Sequence, residues 1–316
     1  MDKLLTAENC KNFKELRKGY HDRLFDAEGC PFLSSTTVKS LFNKSWSKDT
    51  AATLIGERVH EMLNDMANGI DFNVVSAINR KNSKAYAAEV ELLEAEAKRA
   101  NKKLILCNKT DFASLSPSYH VGQKFLASIK HTKKYPEAMA FVSAKEVAAV
   151  KASSLSPEFA ELHEWIVKSK CGVKCAPDLL VQQLAAKQLQ IYDYKRSAKR
   201  SLNEIYGQIH YLNYSFSMFY YRYVLELIGI KTNPKCILLI LTDLDVPMRI
   251  EIDTADQAIY HSYVAPILTK DYADYYETRH QIMSGTHTYK FTAPSLEQIK
   301  QIEESETDEQ TEEFLA

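Results

Sequence analysis

Residues 174–197 read KCAPDLLVQQLAAKQLQIYDYKRS, and the architecture of the chain turns on this segment. Two short strands with a connection between them account for it. The first, 173–181, is apolar apart from Lys174 and Asp178; the second, 189–195, alternates. A period of two puts Leu189, Ile191, Asp193 and Lys195 on one face and Gln190, Tyr192 and Tyr194 on the other. A face that begins apolar therefore ends in a carboxylate and an ammonium. If the hairpin is symmetric about Ala185–Ala186, Asp178 stands opposite Asp193, with Cβ atoms roughly 4.5–5.5 Å apart. Two carboxylates that close repel unless a cation lies between them or one keeps its proton. Hard oxygen ligands at the end of a sheet suit Mg²⁺ or Mn²⁺. Lys195 beside them could orient or help deprotonate a water held by such an ion, or neutralise a developing oxyanion. The competing explanation is a surface hairpin with a cross-strand salt bridge.

Composition sets the frame. The chain has 316 residues, 45% hydrophobic and 26% charged, the make-up of a soluble globular protein with material for a sizeable core. No apolar run approaches the roughly 20 residues of a membrane span, and the first twenty residues, MDKLLTAENCKNFKELRKGY, are too polar for a signal peptide. The six cysteines (10, 30, 107, 171, 175 and 236) form no C-x-x-C pair, so a reduced, cytoplasmic setting is expected, with Cys171 and Cys175 as ordinary thiols. The net charge of −1 hides an asymmetry: eight of the 41 acidic residues, but one of the 40 basic ones, lie in 297–316. The body thus carries 39 basic against 33 acidic residues, about +6, a balance that suits a polyanionic partner without requiring one. The acidic tail, 291–316, has few apolar groups to bury and is expected to be disordered.

Along the chain, 1–30 reads as a helical extension. Ser34–Ser35 offers an N-cap for a helix carrying Val38, Leu41 and Phe42. A second helix is expected over about 49–67, with Leu54, Val59, Met62, Leu63 and Met66 as its apolar stripe and Gly69 as its stop. Gly56 and His60 share a face of it, and the glycine suggests close approach of another backbone beneath the imidazole. An isolated histidine there is more often a core-edge residue satisfied by a hydrogen bond. The Ala- and Glu-rich stretch 85–100 and the segment around Phe125, Leu126 and Ile129 give a helical insert, about 71–168, that carries no chemistry of its own. Glu146, Glu161 and Glu164 precede the hairpin and are candidates for a further metal ligand, though each alone reads as a solvated charge. After the hairpin a single long helix is expected over about 201–227, bearing Tyr206, Tyr211, Tyr214, Tyr220, Tyr221 and Tyr223. Core packing explains most of these; some could hydrogen-bond phosphates or stack on a base. An apolar strand at 235–242 turns near Val246-Pro247 and pairs back with 248–252. A final helix is expected over 255–276.

These pieces fall into one order: a Ser-rich helix start, Gly56-x-x-x-His60, an insert, Pro177-Asp178, Asp193-x-Lys195-Arg196-Ser197, a Tyr-rich helix and a closing apolar hairpin. Pro177-Asp178 with Asp193-Tyr194-Lys195 resembles the PD-(D/E)XK nuclease signature. The whole layout, over about residues 30–285, resembles the exodeoxyribonuclease VIII (RecE) type of phage and prophage exonuclease within that superfamily. The resemblance implies an α/β fold: a restriction-endonuclease-like core with a mixed central sheet flanked by helices, spanning 31–290. It also implies Mg²⁺-dependent hydrolysis of linear double-stranded DNA from the 5′ end, leaving 3′ overhangs for recombination, with Mn²⁺ as a substitute ion. His60, Asp178 and Asp193 match the family's metal ligands and Lys195 its catalytic lysine. On the following helix the family often carries Gln-x-x-x-Tyr. Here the frames are His210-x-x-x-Tyr214 and Gln208-x-x-Tyr211, so Gln208, His210, Tyr211 and Tyr214, with Arg196, are candidate DNA contacts. Family members act as rings threaded by DNA and work with a single-strand annealing protein. A RecB-like or CRISPR-adaptation nuclease with an iron–sulfur cluster is set aside, because Cys236 is the only cysteine after Lys195. The alternatives are a catalytically silent DNA-binding or recombination accessory protein on the same fold, or a RecB-like nuclease with different substrate polarity.

Overall fold

A computed structural model describes residues 3–43, 51–79, 83–182, 188–197, 201–242 and 247–272. In chain order the elements are α1 (Phe13–Gly19), β1 (Phe32–Leu33), α2 (Ser35–Asn43), α3 (Ala51–Ala67), β2 (Asp71–Ser76), α4 (Lys84–Arg99), β3 (Lys102–Cys107) and α5 (Lys109–Ser128). There follow β4 (Lys133–Pro136), β5 (Ala140–Val142), α6 (Ala144–Ala149), α7 (Ala160–Lys168), β6 (Gly172–Cys175), β7 (Leu179–Gln182) and β8 (Leu189–Arg196). The last are α8 (Leu202–Tyr211), α9 (Tyr214–Leu227), β9 (Lys235–Leu241) and β10 (Met248–Asp253), then short helical turns from Gln257–Ile259 to Ala265–Leu268. All belong to one unit, Met1–Asp271; of the second, Tyr272–Ala316, only Tyr272 is described.

The mixed α/β architecture expected from the sequence is the one adopted. A five-stranded sheet runs β10-β9-β8-β7-β4, with β8 parallel to β9 and every other pair antiparallel. β8 lies at its centre, which explains why both its faces are apolar: Leu189, Ile191, Tyr192 and Tyr194 are all buried. On one face Leu179, Val181, Tyr192, Tyr194, Ile237, Leu239 and Leu241 pack with Val59 and Leu63 of α3 and Phe125 of α5. Fully burying a side chain of this size contributes about 1.5–3 kcal/mol, so this layer fixes α3 against the sheet. Gly122 of α5 makes the approach possible, since a Cβ there would collide with Leu63. Gly56 has no such role: among the described residues nothing lies within 4 Å of where its Cβ would be, so none of them makes the close backbone approach expected beneath His60. Leu54, also expected in the stripe, is exposed.

The first strand of the hairpin is two strands. β6 pairs with β1 and β5 in a separate three-stranded sheet, β7 belongs to the large one, and Ala176-Pro177-Asp178 carries the chain between them. The neighbouring chain crosses in step: Pro136 faces Leu179 and Ala140 faces Cys175, one continuous antiparallel register broken only at the crossing. Proline cannot supply a ladder N–H, so Pro177 suits the break.

The long helix expected over 201–227 is also two elements. Asn213 adopts a left-handed backbone (φ 47°) between α8 and α9, and its side chain accepts from Phe216 N, 3.1 Å away, as the cap of α9. Asn tolerates that region better than most residues. Within 1–30, α1 is the only helix among the described residues. The insert about 71–168 holds helices α4 to α7, together with a parallel β2–β3 pair and strands β4 and β5. The closing helix breaks into α and π turns. Other expectations hold locally: Ser34 Oγ accepts from Thr37 N at the start of α2, and Gly69 ends α3 at φ +87°. Among the described residues no helix is long and apolar enough to cross a membrane, and no cysteine is in a disulfide. The side chains of Leu41 and Phe42, the connection at Ala185–Ala186, Val246, Tyr275–Tyr276 and the acidic tail lie outside the described residues, as does the boundary at 290.

Candidate active site

Four of the residues singled out in the sequence meet where β7 begins and β8 ends. Leu179 faces Tyr192, so the next position along sets Asp178 opposite Asp193, the register that symmetry about 185–186 predicts. α3 covers this end of the sheet and brings His60 down on it. His60 Nδ1 lies 3.2 Å from Asp178 Oδ1, and Tyr194 N donates to Asp178 Oδ2 at 2.6 Å. Lys195 Nζ pairs with Asp193 Oδ2 and donates to Tyr194 O at 3.0 Å. The Asp193 side chain is only 2% exposed, against 15% for Asp178, 23% for Lys195 and 27% for His60. The site is therefore a half-open end whose deepest group is a carboxylate.

The two carboxyls are driven apart electrostatically. Burial pushes Asp178 up, but His60, Lys195 and the Tyr194 N–H outweigh it and hold it below the ordinary carboxylate range, at about 2. Burial pushes Asp193 up, Lys195 pulls it down, Asp178 pushes it up again, and the net shift is upward. Such a divergence is what two neighbouring carboxyls produce when one takes the better partners. Burial lowers Lys195, yet Asp193 and Asp178 more than reverse that, so the ammonium holds its proton more tightly than usual. Burial also lowers His60, and Asp178 raises it above 6.5. As arranged, His60 and Lys195 are the internal partners of the two carboxyls.

Whether these residues fit a divalent cation can be judged from the donor set. One carboxylate oxygen of Asp193 is buried and lies off-line for a hydrogen bond even though Lys195 is within ion-pair distance. Two carboxylates and an imidazole at one sheet end are the oxygen-rich set that Mg²⁺ or Mn²⁺ takes. The described residues nonetheless contain no group of three His, Cys, Asp or Glu already spaced around a metal. An ion would have to replace the His60 contact on Asp178 and the Lys195 contact on Asp193.

Two of the three glutamates weighed in the sequence are occupied elsewhere. Glu146 caps α6 and pairs with Lys3, Glu161 bonds Tyr260, and Glu164 is exposed. The acidic residue next to Asp178 is Glu137, which sequence reasoning missed. Continuing the β4–β7 register sets it opposite Asp178, and its N–H donates to Asp178 O at 2.9 Å. Its carboxylate is held by Asn64 Nδ2 at 2.6 Å and Arg17 Nε at 2.5 Å. Asn64 stands one turn after His60, so α3 touches both acidic residues; a polar residue four positions from His60 was the available signal.

The candidate nucleic-acid contacts separate. Tyr214 lies beside the site, its ring centroid 5.1 Å from Lys195 Nζ. Gln208 accepts from Ser197 Oγ at 2.9 Å, two residues past Lys195. Arg196 donates to Ser114 Oγ at 2.9 Å, His210 pairs with Tyr263 OH at 2.9 Å, and Tyr211 is 81% exposed. Because the helix breaks at Asn213, His210 and Tyr214 do not share a helical face. Tyr220 and Tyr223 are fully buried, in line with core packing.

No protein-family model and no curated protein matches the chain. Among solved structures, a chain from Eubacterium rectale provisionally named an exonuclease is similar over 90% of this chain and 88% of that one, with 11% identity and a TM-score of 0.36. A likeness at that level carries no argument about what this chain does.

Proposed function

We propose that the chain is a metal-dependent deoxyribonuclease that hydrolyses phosphodiester bonds at the ends of linear double-stranded DNA. One observation carries the proposal: Asp178 and Asp193 are held side by side by strand register, with His60 and Lys195 converging on them. A bound Mg²⁺ or Mn²⁺ would supply charge neutralisation at the phosphate, a more acidic water and a stabilised leaving oxygen. Asp178, Asp193 and His60 are the residues to hold it. Lys195, which retains its proton, is suited to steadying negative charge on the phosphate rather than to removing a proton. Tyr194 N–H fixes the orientation of Asp178.

Digestion from the 5′ end, 3′ overhangs for recombination, assembly as a ring and work beside a single-strand annealing protein in a bacterial or phage-infected cytoplasm are part of this proposal. They rest on the order of motifs alone. The test is linear duplex DNA labelled separately at its 5′ and 3′ ends, incubated with Mg²⁺, with EDTA and with Lys195→Ala. Early release of 5′ label as mononucleotide, abolished by EDTA and by the substitution, is the expected result. Full activity in Lys195→Ala would overturn the assignment of the site.

A second reading is favoured by the internal pairing of both carboxylates: a DNA-binding recombination protein on the same fold that does not cleave. Binding of the duplex without release of either label would select it.

A further inference from the structure

Lys39 on α2 was not among the residues that the sequence pointed to. Its Nζ donates to Leu212 O at 3.2 Å and lies 5.7 Å from the centroid of the Tyr214 ring. Lys195 Nζ lies 5.1 Å from the same centroid, so one aromatic ring serves both ammonium groups. We propose that Lys39 and Lys195 form a two-ammonium seat for the nucleic-acid backbone, Lys195 at the phosphate that is cut and Lys39 on an oxygen of a neighbouring phosphate. This rests on the nuclease reading above and adds to it a strand-positioning residue.

The asymmetry between the two lysines carries the argument. Lys195 has Asp193 as its counter-charge. Lys39 forms no ion pair among the described residues; its partners are a neutral carbonyl and a ring face. A half-buried ammonium set near a second one is unfavourable: burial first, then Lys195, lowers its pKa to about 8, and the attraction of Asp193 offsets only part of this. An anion beside Lys39 offsets both penalties. A phosphodiester oxygen is such an anion, and a lysine meets it as a point charge without demanding one geometry. The Tyr214 ring lies within cation–π range of each ammonium. The competing role for Lys39 is a helix cap: Leu212 ends α8, where a cation is favoured in any case.

The two roles separate in a salt titration. Binding of a short linear DNA duplex, with Ca²⁺ in place of Mg²⁺, is measured over a salt series for the wild type, Lys39→Met, Lys39→Gln and Lys39→Arg. Met keeps the stem over Tyr214 and loses the charge. Gln loses the charge but can still donate to Leu212 O, which keeps the measurement possible if Met does not fold. Both are expected to weaken binding about ten-fold and to reduce the slope of log K against log salt by about one unit, while Arg keeps the wild-type slope. A lowered melting temperature with an unchanged slope means a cap only and overturns the proposal. A wild type that binds and degrades DNA while Lys39→Gln keeps its slope overturns the role of Lys39 alone. A wild type that does not bind DNA overturns the nuclease reading, and this inference with it.

Discussion

Asp178 and His60 stabilise each other in the ion-free protein, and the sign of that effect sets a pH dependence. His60 is raised above 6.5, so its contribution is complete below that value and fades as pH rises through the folded-state value. Asp178 is lowered, so its contribution is present above 3.8 and fades only as pH falls toward about 2. The pair therefore helps most between these limits. In EDTA, His60→Asn should cost on the order of 1 kcal/mol near pH 5 and clearly less near pH 8; urea denaturation at both pH values measures it. Binding of a cation runs the other way, because the imidazole must be neutral to act as a ligand. Affinity for Mn²⁺ should rise with pH across the range where His60 titrates, and His60→Asn should flatten that rise in calorimetric titrations. Equal slopes in the two proteins would remove His60 from the ion's shell. At this scale the sequence was legible in part. Asp178, Asp193 and Lys195 could be paired from alternation and hairpin symmetry. Lys39 and Glu137 could not, because they reach the site from elements whose packing has no local signature; Asn64 was signalled only by its place one turn after His60.

At the scale of elements, α3 carries His60, and its position depends on α5. Gly122→Ala should cost about 1–3 kcal/mol, because its Cβ meets Leu63. It should also reduce cleavage by displacing α3. Gly56→Ala, on the same helix as His60 but in open space, should be neutral or stabilising by up to about 1 kcal/mol. Thermal melts of the two proteins read this contrast directly. At the α8–α9 junction, Asn213→Ala should cost about 2 kcal/mol, from the left-handed backbone, the lost cap and the lost bond to Tyr263 O at 3.1 Å. Asn213→Gly should cost less, since only the side-chain bonds are lost. The helical pattern over 201–227 gave no warning of this break: apolar spacing continues through it, and the helix is interrupted by one residue's left-handed backbone.

At the scale of the whole molecule, folding itself brings the two carboxyls together, so an ion that relieves their repulsion must stabilise the fold. With Mg²⁺ at about 100-fold over its dissociation constant the gain is about 2.7 kcal/mol. The melting temperature of the wild type should rise with added Mg²⁺ or Mn²⁺, and that of Asp193→Asn should not. An equal rise in both would show that the ion binds elsewhere. The gain depends on how the sheets are joined. Two strand pairs cross between the sheets in one register, and Asp178 lies at the crossing, between Asp193 on β8 and Glu137 after β4.

The sequence alone determined the strand pairing around Asp178, the capped start of α2 and the stop of α3. These depend on period, on a few capping residues and on glycine, all of which act over a handful of positions. Only the tertiary structure decided that 173–181 divides between two sheets, that Gly122 rather than Gly56 sets the approach of α3, and that Lys39 and Lys195 share the ring of Tyr214. Those outcomes depend on which side chains meet across distant parts of the chain, and close packing settles that only when all the layers are in place.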